Sequence, residues 1–248
     1  DALATGAPSF LGALAQERDP EAFTRRFAEL DGAVRVLAQR ADIHTLQRVS
    51  NVVAALHERL ERLSSTDGGA RETIGAIARL FVDPDVLLPV AEQLLASDEL
   101  RPAAAKLIAG GGVAGAYALY NARAKAAPDP RARVAFVTTM KSLGEPALPV
   151  VRAGLERIEA SAGSGGHRSA VELAEDLLLA MPGSPDEVAG HLVVRYAASR
   201  VPNLCRAAAR ALPRVWGERA APVLRELVAH EDDGVRVAAI VSLREIGA

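Results

Sequence analysis

The sequence predicts an all-α protein, a stack of short helical hairpins behind one longer N-terminal hairpin, and three observations carry that expectation. Pro, Gly and Asp punctuate apolar stretches of helical length, while the alternating pattern of strands is missing. Half the residues (50%) are hydrophobic but only 4% are aromatic, a composition that suits many close helix–helix contacts better than one large centre. From Arg71 onward the chain also repeats itself at intervals of 30 to 38 residues.

The elements follow in order. Asp19-Pro20 reads as an N-cap with Pro at the first helical position, opening a helix to about Gln39, and Asp42 caps a second helix to about Leu63. Phe23, Phe27, Leu30, Val34 and Leu37, then Leu46, Val49, Val53, Leu56, Leu60 and Leu63, are spaced by alternating threes and fours. That spacing is the narrow seam of coiled-coil-like packing. Residues 1–66 are therefore expected to form a hairpin that caps the array or pairs with another chain, and residues 67–248 to form the array itself.

The helices shorten after Ser64-Ser65-Thr66-Asp67, and an arginine opens each first helix: Arg71, Arg101, Arg133, Arg168, Arg206 and Arg236. Asp67, Asp98, Asp129, Asn203 and Asp233 lie three or four residues ahead, placed to cap the coming helix; the copy at Arg168 follows a Gly/Ser-rich stretch instead. Two copies share a Gly-Glu break and a proline opening the second helix: Leu143-Gly144-Glu145-Pro146-Ala147-Leu148-Pro149 and Trp216-Gly217-Glu218-Arg219-Ala220-Ala221-Pro222.

The last copy, Asp233-Gly234-Val235-Arg236-Val237-Ala238-Ala239 running to Leu243-Arg244-Glu245-Ile246-Gly247, resembles the first helix of a HEAT repeat. The variety it is most similar to is that of bacterial phycobilisome-lyase-like proteins. The likeness is strong at Arg133, Arg206 and Arg236, weaker at Arg71 and Arg101, poor at Arg168, and does not reach residues 1–66. It implies a right-handed α-solenoid with first helices outside and second helices lining a concave face. The arginines and capping acids then read as a structural ladder between neighbouring repeats.

Other chemistries fit poorly. Gly110-Gly111-Gly112-Val113-Ala114-Gly115 satisfies GxGxxG, but the Ala-rich segment before it is in phase with the helix at Arg101, so the glycines read as a tight turn between helices and not as a dinucleotide loop. The five histidines are scattered without metal spacing. His57-Glu58 and His230-Glu231 resemble the His-Glu pairs of HEAT-like deoxyhypusine hydroxylases, yet the positions where that family carries the pairs hold Val134, Ala207 and Val237. Cys205 is the sole cysteine, so neither a disulfide framework nor a CxxC site can form. No enzyme, cofactor or metal is expected.

The net charge of −2 gives no global pull toward nucleic acid or an anionic membrane, and no apolar run reaches the roughly 18 residues of a bilayer span. The expectation is a cytoplasmic protein-binding scaffold, and a chain opening on Asp1 reads as a processed or excised piece. The alternative is a HEAT-like DNA-binding protein or a DNA glycosylase of the alkylpurine type. Such enzymes use a basic concave face with aromatic and acidic residues, for which this chain offers one tryptophan, Trp216, at a helix end.

The candidate binding surface comes from aligning the second helices at Pro149-Val150-Val151-Arg152, Leu192-Val193-Val194-Arg195 and Pro222-Val223-Leu224-Arg225, with Tyr117-Ala118-Leu119-Tyr120 one repeat earlier. Tyr117, Tyr120, Arg152, Arg195 and Arg225 are then the residues expected to meet a partner. Arginine forks and tyrosine rings are the types that carry interface energy, and an acidic or phosphorylated protein or peptide would suit the row. Self-association is expected through the N-terminal hairpin or through the C-terminal edge, where Ile240 and Ile246 have no following helix to cover them.

Overall fold

The computed structural model describes residues 2–62, 68–161, 168–183 and 185–248, and every regular element among the described residues is helical. They divide into two compact units, Asp1–Ala122 and Arg123–Ala248. The expected boundary at residues 66 and 67 lies outside the described residues, as do the proposed cap Asp67 and the side chains of Arg71 and Arg168.

The first unit holds α1 (Ala2–Ala15), α2 (Pro20–Gln39), α3 (Ile43–Arg62), α4 (Gly68–Leu80), α5 (Pro84–Ala96), α6 (Arg101–Gly110) and most of α7 (Gly112–Lys125). Both caps of the hairpin form as the sequence predicts. Asp19 accepts a hydrogen bond from the Glu21 amide at 3.1 Å with Pro20 following it, and Asp42 accepts one from the Thr45 amide at 3.1 Å. Leu30 and Val34 of α2 and Leu46, Val49 and Val53 of α3 are buried, while Phe23, Phe27 and Leu37 are only half-buried.

The hairpin does not stand alone. Helix α3 packs on α4 and α6, and α2 packs on α5. Arg35 of α2 reaches Asp83 Oδ2 at 2.9 Å and Asp85 Oδ2 at 2.8 Å, while the other oxygen of Asp83 caps α5 by accepting from the Asp85 amide. Helix α1, which the sequence did not announce, buries Leu11 and Leu14 and packs on α3 and α4. Pro8 and two glycines, Gly6 and Gly12, within it obscure its helical period.

The glycine run forms the expected turn. Helix α6 ends at Gly110 and α7 starts at Gly112, whose φ of +53° lies in the left-handed region. Gly115 is there for space: a Cβ on it would come within 2.0 Å of the Ile108 carbonyl oxygen, a backbone atom that cannot swing aside. Gly115→Ala is expected to destabilise the fold by about 2–3 kcal/mol. Gly110→Ala, with nothing within 4 Å of its Cβ position, is expected to be neutral or mildly stabilising. Urea unfolding of both variants beside the parent chain checks the contrast.

The second unit holds α8 (Pro130–Leu143), α9 (Leu148–Ser161), α10 (Arg168–Ala180), α11 (Glu187–Ala197), α12 (Pro202–Trp216), α13 (Ala221–Leu227) and α14 (Asp233–Glu245). The shared Gly-Glu break has one geometry in both copies. Gly144 (φ +64°, ψ −134°) and Gly217 (φ +55°, ψ −131°) end α8 and α12, and each leads through a 3-10 turn, Glu145–Ala147 or Gly217–Ala220, into the next helix.

Contacts run in series along two rows, α8 to α10 to α12 to α14 and α9 to α11 to α13, and the rows are joined where α9 packs on α10, α11 on α12 and α13 on α14. Helices within the second row are parallel. Arg152 near the start of α9 lies by Asp186 at the start of α11, and Glu159 near the end of α9 meets Arg195 near the end of α11. Small residues make the close approach feasible: Ala207, Ala208, Ala209 and Ala211 of α12 are all buried.

The proposed caps are only partly as expected. Asp129 caps α8 through the Arg131 and Ala132 amides. Asn203 lies inside α12, Asp98 pairs with Arg101 while Ser97 Oγ accepts from the Leu100 amide, and the cap of α14 is Asp232, not Asp233. The arginines are structural in different ways. Arg101 donates to the Leu94 carbonyl in the last turn of the preceding helix, and Arg236 to the His230 and Glu231 carbonyls in the turn that leads into α14. Among the described repeat arginines only Arg133 makes an ion pair with the next hairpin, reaching Glu175 and Asp176 of α10. Arg206 bonds Asn203 and lies under Gly234, where a Cβ would come within 3.1 Å of its guanidinium.

Candidate binding face

The three candidate arginines lie on the second row of the second unit, one on each of α9, α11 and α13. Helix α11 is anchored on α9 by Tyr196, whose hydroxyl donates to the Leu155 carbonyl at 2.9 Å; burial first, and Glu159 next, raise its pKa above the ordinary tyrosine value. On α13 the anchors are the buried Leu224 and Leu227. These contacts leave the polar side chains of the row to form a lattice of ion pairs across it.

Arg195 grips Glu159 with Nε at 3.1 Å and Nη2 at 2.8 Å, and hydrogen bonding to that carboxylate raises the guanidinium above its ordinary value. Arg219 meets Glu187 at 2.5 Å, and His191 lies 3.3 Å from the same carboxylate. Arg152 is held loosely, 3.8 Å from Asp186 and 4.0 Å from Glu156. Arg225 is exposed and forms no ion pair among the described residues.

Arg152 and Arg195 are not level with one another, contrary to the alignment. The pairing of Arg152 with Asp186 and of Glu159 with Arg195 puts Arg195 about two helical turns further along, roughly 10 Å at 1.5 Å per residue. The longer spacing of the copy at Arg168 hides this shift, since the Gly/Ser-rich stretch before it gives no anchor. Arg195 and Arg225 remain close to level, because Glu187 meets Arg219 and the same offset carries Arg195 to Leu227.

The tyrosines belong to the first unit and to α7. Tyr117 is 40% exposed, but Tyr120 is only 3% exposed and presents almost no surface to a partner. Its place follows from the helix period, since Ala116, Leu119 and Tyr120 share the buried side of α7.

Trp216 is packed. Its indole sits against Gly190 of α11 and nearly perpendicular to the His191 ring, ring centroids 5.1 Å apart. Cys205 is buried, its thiol donating to the Ser199 carbonyl, and burial pushes it above the ordinary thiol value. His230 accepts from the Asp232 amide at 3.0 Å, a role in the turn before α14. Among the described residues no helix is long and apolar enough to cross a membrane, and no three His, Cys, Asp or Glu side chains gather as a metal would need.

Sequence reasoning missed one cluster, Asp176 with Arg123 and Arg133. Asp176 is 0% exposed, with Arg123 Nη2 at 2.6 Å and Nε at 2.8 Å on Oδ2. Arg133 Nε lies 2.7 Å from Oδ1 but off the N–H direction, so it contributes charge more than a hydrogen bond. Burial pushes the Asp176 carboxyl up and the two guanidiniums pull it back. The signal was an acid among buried Ala174, Leu177 and Leu178 on one helix.

No protein-family model matches the chain, and no curated protein matches it.

Proposed function

We propose that this chain is a HEAT-like, right-handed α-solenoid acting as a non-catalytic cytoplasmic scaffold, and that the second-helix row of its Arg123–Ala248 unit binds an acidic segment of another protein. The observation that carries the reading is the ordering of the two rows. Equivalent helices contact in series and run parallel, which is how stacked hairpins bury faces that none could bury alone. The second row then offers cations along a repeated surface: Arg225 without an ion-pair partner among the described residues, Arg152 loosely held, and Arg195 in an exposed pair of a kind worth only about 0–1 kcal/mol, which a competing carboxylate can displace.

The test is the double variant Arg152→Glu/Arg225→Glu, titrated by fluorescence anisotropy with a glutamate-rich peptide and its phosphoserine counterpart. Binding to the parent chain is expected to weaken about tenfold or more in the variant. The thermal midpoint should move little, since neither arginine holds a close ion pair. Equal affinity in a normally folded variant would remove this face from consideration. A low-salt gel shift with duplex DNA separates the alternative: tight retardation, lost in the same variant, would favour a nucleic-acid partner.

A further inference from the structure

The first-helix row carries a second cationic surface, separate from the one above. Lys141 near the end of α8, Met181 just beyond α10, Arg210 and Arg214 on the last turns of α12, and Val241 and Glu245 on α14 line an open cleft of about 570 Å³. Basic residues at helix ends have a bland explanation, because the negative end of the helix dipole and its bare carbonyls attract them. That explanation is sufficient for Arg214. Its Nη1 donates to the Leu179 and Met181 carbonyls at 3.2 and 3.0 Å, closing the end of α10, and its Nη2 to the Arg210 carbonyl of its own helix at 3.1 Å.

Lys141 and Arg210 have no such employment. Neither side chain makes a hydrogen bond or ion pair among the described residues, although both face the cleft. Arg214, pinned by three carbonyls, cannot turn its charge away from them. The three cations face one acid, Glu245, which leaves the cleft with two uncompensated positive charges in a chain of net charge −2. Burial and then Arg214 hold the Lys141 ammonium below its ordinary value, and burial lowers the Arg214 guanidinium against the pull of Glu245.

We propose that this cleft is a binding site for a phosphate monoester. The charge balance selects the class: a phosphate monoester carries about −1.5 to −2 at neutral pH, which matches two uncompensated cations better than a single carboxylate does. Arg214 supplies a fixed charge in the wall, Lys141 and Arg210 supply the free N–H donors, and the ester's organic part lies against Met181 and Val241. Free inorganic phosphate shares the oxyanion chemistry and is the other source of ligand.

Calorimetric titration of the full chain with phenyl phosphate and, separately, with inorganic phosphate tests the site. The phenyl ester is expected to bind with a Kd of about 1 mM or tighter. Lys141→Gln/Arg210→Gln should weaken it about tenfold or more while leaving the thermal midpoint of the ligand-free protein in place. The same variant keeps Arg152, Arg195 and Arg225, so peptide binding to the second row is read independently. If inorganic phosphate binds as tightly as the ester, the free ion is the source; tighter binding of the ester assigns the esterified group. No heat from the parent chain at about 10 mM of either ligand, or equal affinity in the double variant, would overturn the proposal.

Discussion

The Gly190→Ala variant is expected to unfold at much lower denaturant than the parent chain, losing about 3 kcal/mol from a change of one methyl group. A Cβ on Gly190 would lie 1.7 Å from Trp216 Nε1, 2.1 Å from Cδ1 and 2.3 Å from Cε2, all within a rigid ring. The indole must leave its seat, and with it goes packing between α11 and α12. Trp216 is the only tryptophan, so its emission reports the displacement directly and should shift to the red in the folded variant. The cause is isolated by a double-mutant cycle. In a Trp216→Ala background the site is vacant, so Gly190→Ala should become neutral or slightly favourable, as alanine is in a helix interior. Additive effects across the cycle, or an unchanged midpoint in the single variant, would mean that the indole does not lie on Gly190.

That contact shows why some of the structure was legible in the sequence and some was not. Local signals read well. Asp19-Pro20, Asp42, Asp129 and the paired Gly-Glu breaks act within a few residues of themselves, through caps and left-handed glycines, and the helices begin and end there. Gly190 acts on a side chain 26 residues away, and its only mark in the sequence is a costly glycine in the first turn of a helix. Register between second helices failed for a related reason. Similar tetrapeptides align Arg152 with Arg195, but level is set by which side chains meet across the row, and Asp186 and Glu159 decide that. Tyrosine suits interfaces by type, but the helical phase of Tyr120 places it with Ala116 and Leu119 in the core. The first-row cleft escaped because Lys141, Arg210 and Glu245 come from three different copies and share no motif.

Asp176→Ala is expected to cost about 3–5 kcal/mol, the range for removing one partner of a buried ion pair. The variant would leave the Arg123 guanidinium, whose side chain is 7% exposed, with no carboxylate in contact and little water to replace it. Arg133 suffers less, since its side chain is 34% exposed and keeps Glu175 at 2.6 Å. Removing both buried charges together should behave differently. Because burial opposes ionisation of Asp176 even with two guanidiniums beside it, the pair compensates its own desolvation poorly. Arg123→Met/Asp176→Leu, close in volume and free of charge, is therefore expected to recover most of the loss and to equal or exceed the parent in stability. Chemical denaturation of Arg123→Met, Asp176→Leu and the double variant beside the parent chain gives the coupling energy directly. A double variant as unstable as Asp176→Ala would show that the cluster is kept for the geometry of its hydrogen bonds and not merely for charge balance.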